Sequence, residues 1–428
     1  MIEIFTLDNG LRLVLEDIPY VRSIAFGIWI KTGTRCERPE ENGVSHFIEH
    51  LMFKGTAKRS AKDIAEEMDA LGGQINAYTT KEYTCYYTRT LDKHFDKALD
   101  VLSDMLLNSK LDNDDIKRER KVIEEEIDMY LDAPEELVHD AIEEAVWHET
   151  SLGMPICGTK KSIAVFDSNL IKDYYKRAYR PQNAVIAVTG NFDKEDILEK
   201  LTSVFGSWSN EGYLKTDFAK ATYAPAVLSI TKDIEQIHLC ISFKAPERDS
   251  KYKYSLAVLN TLFGGGMSSR LFQKIREDEG LAYSIYSYTS AYSDTGIMTV
   301  YAATNRQKYE AVIESVMKEI DKLKTERIND KVIAVTKEQI ISNYIISLEN
   351  TASRLSGIGG SILLSGKVLP MEEILSQMER VNYDSIKEAV DYIFKAENMS
   401  LSAVGNVEGI DFERLVEDGK ELLYSKNR

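Results

Sequence analysis

An internal repeat constrains the fold of this chain more than any other feature of its sequence. Residues 183–193 (NAVIAVTGNFD) and 398–408 (NMSLSAVGNVE) are apolar segments that contain a Gly-Asn pair and lead into a helical pattern. They begin half a chain length apart in a protein of 428 residues. A second pair of apolar segments, 23–32 and 236–243, also corresponds. Repeated elements at this spacing predict two domains of one fold.

Each half of the chain shows the same order of patterns: strand, helix, strands, helices, strand. This order predicts an α+β fold with two homologous domains, each a mainly antiparallel or mixed β-sheet with helices packed on one face. We place an N-terminal domain at 1–210, a linker at 211–225 and a C-terminal domain at 226–428. The linker is short, polar and poor in strand residues, which is typical of a domain boundary.

The helix predicted after the first apolar strand contains possible metal ligands, which the equivalent helix in the second half lacks. Residues 46–50 have the pattern H-x-x-E-H, with apolar residues on both sides. His46 and His50 lie one turn apart on one helix face, so two imidazoles can bind one Zn²⁺. Glu49 is better placed as a general base that takes a proton from the attacking water. The equivalent stretch 254–263 has no histidine, so only the first half is predicted to hold metal.

A catalytic zinc usually takes three protein ligands, so a third must come from elsewhere in the chain. The helical segment 119–127 offers Glu119, Glu125 and Glu126. Glu119 and Glu126 are two helical turns apart and share a face, but spacing alone does not choose among the three. The buried stripe of this helix is predicted to consist of Val122, Ile123 and Ile127.

Residues 43–56 (GVSHFIEHLMFKGT) resemble the signature of the insulinase/pitrilysin family of zinc metallopeptidases, the inverzincins. The resemblance covers nearly the whole chain and is strongest to the branch of the mitochondrial processing peptidase β subunit and its bacterial homologues. The family's third ligand is a glutamate that precedes an isoleucine, which selects Glu126, and its supporting glutamate falls on Glu119. The resemblance therefore implies one zinc per chain, bound by His46, His50 and Glu126.

The same resemblance implies a place for the substrate backbone. Asn76 and Ala77 lie in residues 72–79, where a glycine turn leads into a strand. This strand is similar to the family's edge strand, which pairs with an extended peptide beside the metal. An ordinary strand of the sheet is the alternative interpretation, and the two are compatible.

The second half supplies further positions that match the family. Gly264, Gly265 and Gly266 match a glycine-rich loop that touches substrate, and no P-loop pattern follows them. Arg276 and Tyr283 match a pair that assists catalysis, in which the tyrosine hydroxyl stabilises the oxyanion. Without the resemblance, Arg276 would be interpreted as a surface helix residue.

The resemblance implies a zinc endopeptidase that hydrolyses unfolded or extended peptides inside a chamber. Processing-peptidase heterodimers divide the catalytic motif and the glycine-rich loop between subunits, whereas both lie on this one chain, which implies a homodimer. The alternative is a catalytically silent structural or peptide-binding subunit of the same fold. Silent subunits typically lose motif residues, which are all present here.

The charge and composition of the chain indicate which kinds of partner and which cellular location to expect. The chain has 53 basic and 69 acidic residues, a net charge of −16 that disfavours nucleic acid. The acidic run 124–136 is either a solvated helix face or a chamber wall that attracts basic peptides. No segment approaches the about 18 consecutive apolar residues of a membrane span. The absence of a signal pattern and of C-x-x-C pairs among four cysteines predicts a cytoplasmic bacterial protein.

Overall fold

A computed structural model describes residues 2–211 and 218–424. Residues 212–217 of the predicted linker 211–225 therefore lie outside the described residues. The strands are β1 (Ile2–Thr6), β2 (Arg12–Asp17), β3 (Ser23–Ile30), β4 (Gln74–Thr79), β5 (Thr84–Leu91), β6 (Ala184–Gly190), β7 (Val227–Thr231), β8 (Gln236–Ala245), β9 (Ser284–Ala291), β10 (Gly296–Asn305) and β11 (Ser400–Gly405).

The helices of the described chain vary from about one turn to more than five turns. The α-helices are α1 (Val44–Met52), α2 (Ala61–Ala70), α3 (Phe95–Asn108), α4 (Asn113–Asp132), α5 (Pro134–Val146), α6 (Lys160–Ile163), α7 (Ser168–Ala178), α8 (Lys194–Phe205), α9 (Lys253–Gly264), α10 (Tyr309–Thr325), α11 (Asp330–Ser347), α12 (Thr351–Ser365), α13 (Met371–Glu379), α14 (Tyr383–Ile393) and α15 (Phe412–Tyr424). A π-helical segment covers Phe272–Asp278. None of the described helices is both long and apolar enough to cross a lipid bilayer.

The first unit of the structure is built on a six-stranded mixed sheet. Its strand order is β1-β2-β6-β3-β5-β4, and only the β2–β6 pair is parallel. Strand β3 lies inside the sheet and is buried on both faces, which explains its continuous apolar sequence. One face of the sheet packs on α1, α3 and α7 through residues such as Phe26, Phe47 and Leu102.

The second unit is built on a five-stranded mixed sheet in the order β7-β11-β8-β10-β9. Again one pair, β7–β11, is parallel and the others are antiparallel. This order matches β2-β6-β3-β5-β4 strand for strand. The repeated segments 183–193 and 398–408 thus form equivalent strands, β6 and β11. The predicted α+β fold with two similar, mixed-sheet domains is confirmed.

Each sheet also carries one helix on its other face, and this helix comes from the opposite half of the chain. Unit 1 comprises Met1–Asp128, Met154–Ala219 and Ile345–Val368, and unit 2 comprises Met129–Gly153, Lys220–Tyr344 and Leu369–Arg428. Helix α12 covers the first sheet and α5 covers the second. The predicted domains 1–210 and 226–428 follow chain order, whereas the two units exchange these helical segments.

The contact between α12 and the first sheet depends on a glycine. A Cβ atom at Gly359 would lie 2.5 Å from a ring carbon of Trp29. Trp29 is fully buried, and Leu355 and Ile362 of α12 pack in the same cluster. The small residue lets the helix backbone approach the indole ring closely.

Candidate metal centre

The start of α1 is fixed by a buried carboxylate and a glycine. Glu37 accepts hydrogen bonds from the backbone N–H groups of Gly43 and Ser45, both at 2.8 Å. These bonds satisfy donors that every helix N-terminus leaves unpaired. Gly43 has a φ of 94°, and a Cβ there would lie 2.7 Å from the carbonyl oxygen of Cys157. Burial raises the pKa of Glu37 to about 7, against the opposing effect of these hydrogen bonds.

Most of the surface of helix α1 is buried in the core, and its polar residues His46, Glu49 and His50 lie on one face. The buried apolar residues are Val44, Phe47, Ile48, Leu51 and Met52. His46 is buried, and Glu49 and His50 are half-buried. The two imidazole ring centroids are 4.6 Å apart, as expected for positions one helical turn apart.

Helix α4 brings a carboxylate to both imidazoles. Glu126 Oε1 lies 3.7 Å from His46 Nε2, and Glu126 Oε2 lies 3.5 Å from His50 Nε2. One donor atom from each of the three residues lies within 4.8 Å of the others. Across residues 2–211 and 218–424 no other group of His, Cys, Asp and Glu has this metal-binding geometry.

The three donors fit a zinc ion in chemistry and in spacing. Ligand bonds of 2.0–2.2 Å in a tetrahedral arrangement place donor atoms about 3.4 Å apart, close to the distances between Glu126 and the two histidines. Burial, then the nearby His50, lowers the pKa of His46 to about 3, so its imidazole is neutral, as a metal ligand must be. Burial raises the pKa of Glu126, and the nearby His50 opposes this shift.

A second glutamate of α4 holds His50 from its other side. Glu119 Oε2 lies 3.3 Å from His50 Nδ1, and Glu119 Oε1 lies 2.8 Å from Lys54 Nζ. Burial alone would raise the pKa of Glu119, but the hydrogen bonds with His50 and Lys54 outweigh it and lower the pKa. Glu125, the third candidate from the sequence, is exposed and lies about 100° around the helix from Glu126.

The buried stripe of α4 differs from the prediction at one position. Ile123 and Ile127 are buried, whereas the side chain of Val122 is 49% exposed. One residue corresponds to a rotation of about 100° around a helix, so Val122 cannot share a face with both isoleucines. The buried stripe therefore contains Glu119, Ile123 and Ile127, and the carboxylate of Glu119 faces α1.

Glu49 has a partner that sequence reasoning missed. Thr79 Oγ1, at the end of β4, donates a hydrogen bond of 2.5 Å to Glu49 Oε2. Burial raises the pKa of Glu49, and the bond from Thr79 opposes that shift. Thr79 lies in the segment 72–79 that was singled out for Asn76 and Ala77, two residues beyond Ala77, so the period of two along a strand could have indicated it. Lys54, also missed, lies in the motif segment 43–56.

Strand β4 is an edge strand of the first sheet. Among the described strands it pairs only with β5, and it also contacts α1. Asn76 is exposed and Ala77 is half-buried. The Ala77 N–H donates to Asn76 Oδ1 at 2.8 Å, so a peptide that pairs there must displace this local bond.

The remaining candidate residues lie in the second unit. Gly264 is the buried last residue of α9, and Gly265 and Gly266 follow it on the surface. Arg276 lies in the π-helical segment, and its guanidinium carbon is 5.9 Å from the ring centroid of Tyr283. The Tyr283 side chain is 75% exposed. Among these residues the structure brings Arg276 close to Tyr283, whereas the cluster of His46, His50 and Glu126 belongs to the first unit.

Comparison with known proteins identifies the family. The profile described as insulinase (peptidase family M16) matches residues 12–160, and the profile described as peptidase M16 inactive domain matches residues 166–340. YmxG of Bacillus subtilis, named an uncharacterized zinc protease, is 43% identical over 394 residues, which cover 92% of this chain and 96% of YmxG. The chain belongs to the insulinase family, peptidase family M16. The H-x-x-E-H motif lies in the part matched by the first profile.

Solved structures show how widely this insulinase-family fold is shared. A protease from Helicobacter pylori superposes with a TM-score of 0.88 at 22% identity, over 95% of this chain and 99% of that chain. A chain of complex III2 from Candida albicans superposes with a TM-score of 0.85 at 18% identity, over 98% of this chain and all of that chain. The predicted resemblance to zinc metallopeptidases of this family is confirmed, and zinc proteases are among its sequence relatives.

Proposed function

We propose that this protein is a zinc-dependent endopeptidase of the processing-peptidase type, which hydrolyses extended peptides. The observation that carries the proposal is the complete set of groups on α1 and α4. His46, His50 and Glu126 offer three converging donor atoms, and Glu49 lies on the same helix as both histidines. The names of the sequence relatives, zinc proteases, agree with it.

Different residues of the chain bind the metal, orient a ligand and transfer the proton in the proposed hydrolysis. His46, His50 and Glu126 hold the metal, and Glu119 orients the His50 ring through Nδ1. A bound zinc supplies Lewis acidity, which polarises the scissile carbonyl and acidifies the attacking water. Glu49 takes the proton of that water as the C–O bond forms, and returns it to the amine as the C–N bond breaks.

Peptide binding is assigned to the open edge of β4. Main-chain hydrogen bonds at Asn76 and Ala77 would add the substrate as a further strand, which favours unfolded or extended peptides over any one sequence. The acidic run 124–136 favours basic peptides in this proposal. Gly264, Gly265 and Gly266 are further substrate contacts in this proposal.

Arg276 and Tyr283 are assigned to transition-state stabilisation within a homodimer. We infer that the second half of one protomer completes the metal site of its partner. Mixing Glu49→Gln and Tyr283→Phe variants tests this, because a mixed dimer then contains one intact site, formed by Glu49 of one protomer and Tyr283 of its partner, and hydrolysis should be partly restored. Full activity of a monomer at assay concentration contradicts it.

We also propose that the protein acts in the bacterial cytoplasm. Its cysteines Cys36, Cys85, Cys157 and Cys240 form no disulfide bond among the described residues, which fits a reducing compartment. Fractionation of a native host, with the protein detected by antibody, tests the location.

A catalytically silent structural or peptide-binding subunit is the second candidate. Two observations favour it: the fold likeness to a chain of complex III2, and the match of residues 166–340 to a domain described as inactive. The complete donor set in the first unit favours the enzyme.

The deciding experiment is hydrolysis of an arginine-rich, internally quenched peptide by the wild type and by Glu49→Gln, with zinc measured on both. We expect about one zinc per chain in each protein and cleavage only by the wild type. Glu125→Gln is the matched control, because this exposed residue lies next to Glu126 and outside the cluster. A wild type that binds zinc and cleaves no peptide in a diverse library supports the silent subunit.

A further inference from the structure

We propose that Thr79 is a positioning residue for Glu49, and that it couples the edge strand β4 to the base. This inference rests on the proposed peptidase function. Its observation is the 2.5 Å hydrogen bond from Thr79 Oγ1 to Glu49 Oε2. Hydrogen bonds to an ionised carboxylate are short and strong, so this bond fixes the rotation of the carboxylate group.

The bond distinguishes the two oxygens of Glu49. Oε2 is occupied by the hydroxyl of Thr79, whereas Oε1 has no hydrogen-bond partner among the described residues. Oε1 is therefore the oxygen that has no protein donor to compete with the water. A carboxylate free to rotate would spend part of its time with neither oxygen directed at the water, and proton transfer depends on that geometry.

Thr79 is itself held by the sheet. It pairs with Thr84 of β5, and the two hydroxyl oxygens are 3.3 Å apart. Thr84 is fully buried and donates to the carbonyl oxygen of Thr32 at 2.9 Å. The pairing with β5 thus fixes the position of Thr79, while its hydroxyl hydrogen is directed to Glu49.

The register of β4 determines that Thr79 faces α1. Ile75 and Ala77 pack against the apolar core of the first unit, and strand residues two apart share a face. Thr79 is the next residue on that face, where α1 carries Glu49. A slip of one residue would turn Thr79 away, since it would move every side chain of the strand to the other face.

The same strand is the proposed binding edge, which gives the contact a role in catalysis. A peptide that pairs at Asn76 and Ala77 adds main-chain bonds to β4 and restricts its motion. The restriction extends to Thr79 at the end of the strand, and through it to Glu49. Correct pairing of the substrate thereby also orients the base, so the contact contributes to kcat more than to KM.

The test compares Thr79→Val with Thr79→Ser in the full chain. Valine keeps the shape of threonine and removes the hydroxyl, whereas serine keeps the hydroxyl. We expect valine to lower kcat by about 10- to 100-fold, with KM changed by no more than about 2-fold and zinc content unchanged. Serine should restore kcat to within about 3-fold of wild type. An unchanged kcat in Thr79→Val, or a serine variant as slow as the valine variant, overturns the proposal.

Crystal structures of the metal-free Thr79→Val and Thr79→Ser variants give a readout that does not depend on activity. We expect the Glu49 carboxylate to keep its orientation in the serine variant and to leave it in the valine variant. An identical Glu49 conformation in both overturns the positioning role. A wild type that binds zinc without hydrolysing peptides contradicts the proposed function instead, and the structural comparison still decides on Thr79.

Discussion

His50 and Glu119 form a hydrogen bond of 3.3 Å between Nδ1 and Oε2, on the side of the imidazole that faces away from Glu126. The free oxygen of Glu119 forms an ion pair with Lys54 at 2.8 Å. One carboxylate therefore connects the metal-facing histidine to a lysine beyond the end of α1. This arrangement leaves Nε2 of His50 directed toward the proposed metal position.

The first prediction concerns metal affinity. We expect Glu119→Gln to weaken zinc binding by about 10- to 100-fold, because glutamine can still accept a hydrogen bond from His50 but lacks the negative charge that raises the basicity of the imidazole. Competition with a chromophoric chelator measures the affinity directly. Glu125→Gln, on the exposed side of the same helix, should bind zinc as the wild type does. Equal losses in both variants would contradict a specific role for Glu119.

The second prediction concerns pH. Burial raises the pKa of Glu37 to about 7 in the folded state, from an ordinary value of 4.5. The folded protein holds a proton that the unfolded chain releases, so the free energy of unfolding should fall as pH rises from about 4.5 to 7, by up to about 3 kcal/mol. Denaturant titrations of metal-free protein across this range measure the slope.

Glu37→Gln is the control for that slope. Glutamine does not titrate, so the variant should lose this contribution to the pH dependence, whatever its absolute stability. The same slope in both proteins would show that Glu37 is ionised throughout the range.

The third prediction concerns the start of α1. Gly43→Ala should lower the free energy of unfolding by about 1–3 kcal/mol, because alanine is strained at a φ of 94° and its Cβ would meet the Cys157 carbonyl oxygen. Gly357→Ala should have the opposite effect on stability, because this exposed glycine lies inside α12 with open space around it. It should raise the free energy of unfolding by about 0.5–1 kcal/mol. Chemical denaturation compares the two, and the same sign for both would be inconsistent with this account.

The fourth prediction tests the exchange of helices. Leu355 of α12 is 1% exposed and packs in the cluster beneath the first sheet, so Leu355→Ala should lower the free energy of unfolding by about 2–5 kcal/mol. Ile346 is 63% exposed near the end of α11, and Ile346→Ala should change it by less than about 0.5 kcal/mol. If Leu355→Ala were as mild as Ile346→Ala, α12 would not pack on this sheet in solution.

The repeat and the motif could be predicted because both depend on local order along the chain. Segments 183–193 and 398–408 show their equivalence in apolar pattern and in Gly-Asn, and they form equivalent strands of the two sheets. His46 and His50 share a face wherever that segment is helical, since the helix period requires it. No tertiary information is needed for either inference.

The choice among Glu119, Glu125 and Glu126 could not be made from spacing. It depends on which face of α4 packs toward α1, and that face is set by contacts of Ile123 and Ile127 with the core. Val122 is a different case, because the helix period of about 100° per residue is enough to place it away from Ile123 and Ile127, as its exposure confirms. The family resemblance selected Glu126, and the geometry brings the same residue to both imidazoles.

The sequence by itself determined that the chain has two similar halves and that one helix presents two histidines and a glutamate on a single face. These properties follow from periodicities of two and of about 3.6 residues, which local steric rules impose. Only the tertiary structure decided that Glu126 faces both histidines, that Thr79 contacts Glu49, and that α5 and α12 are exchanged between the units. These contacts join residues far apart in the chain. They form because burial of apolar surface packs the helices and strands in an arrangement that no local pattern specifies.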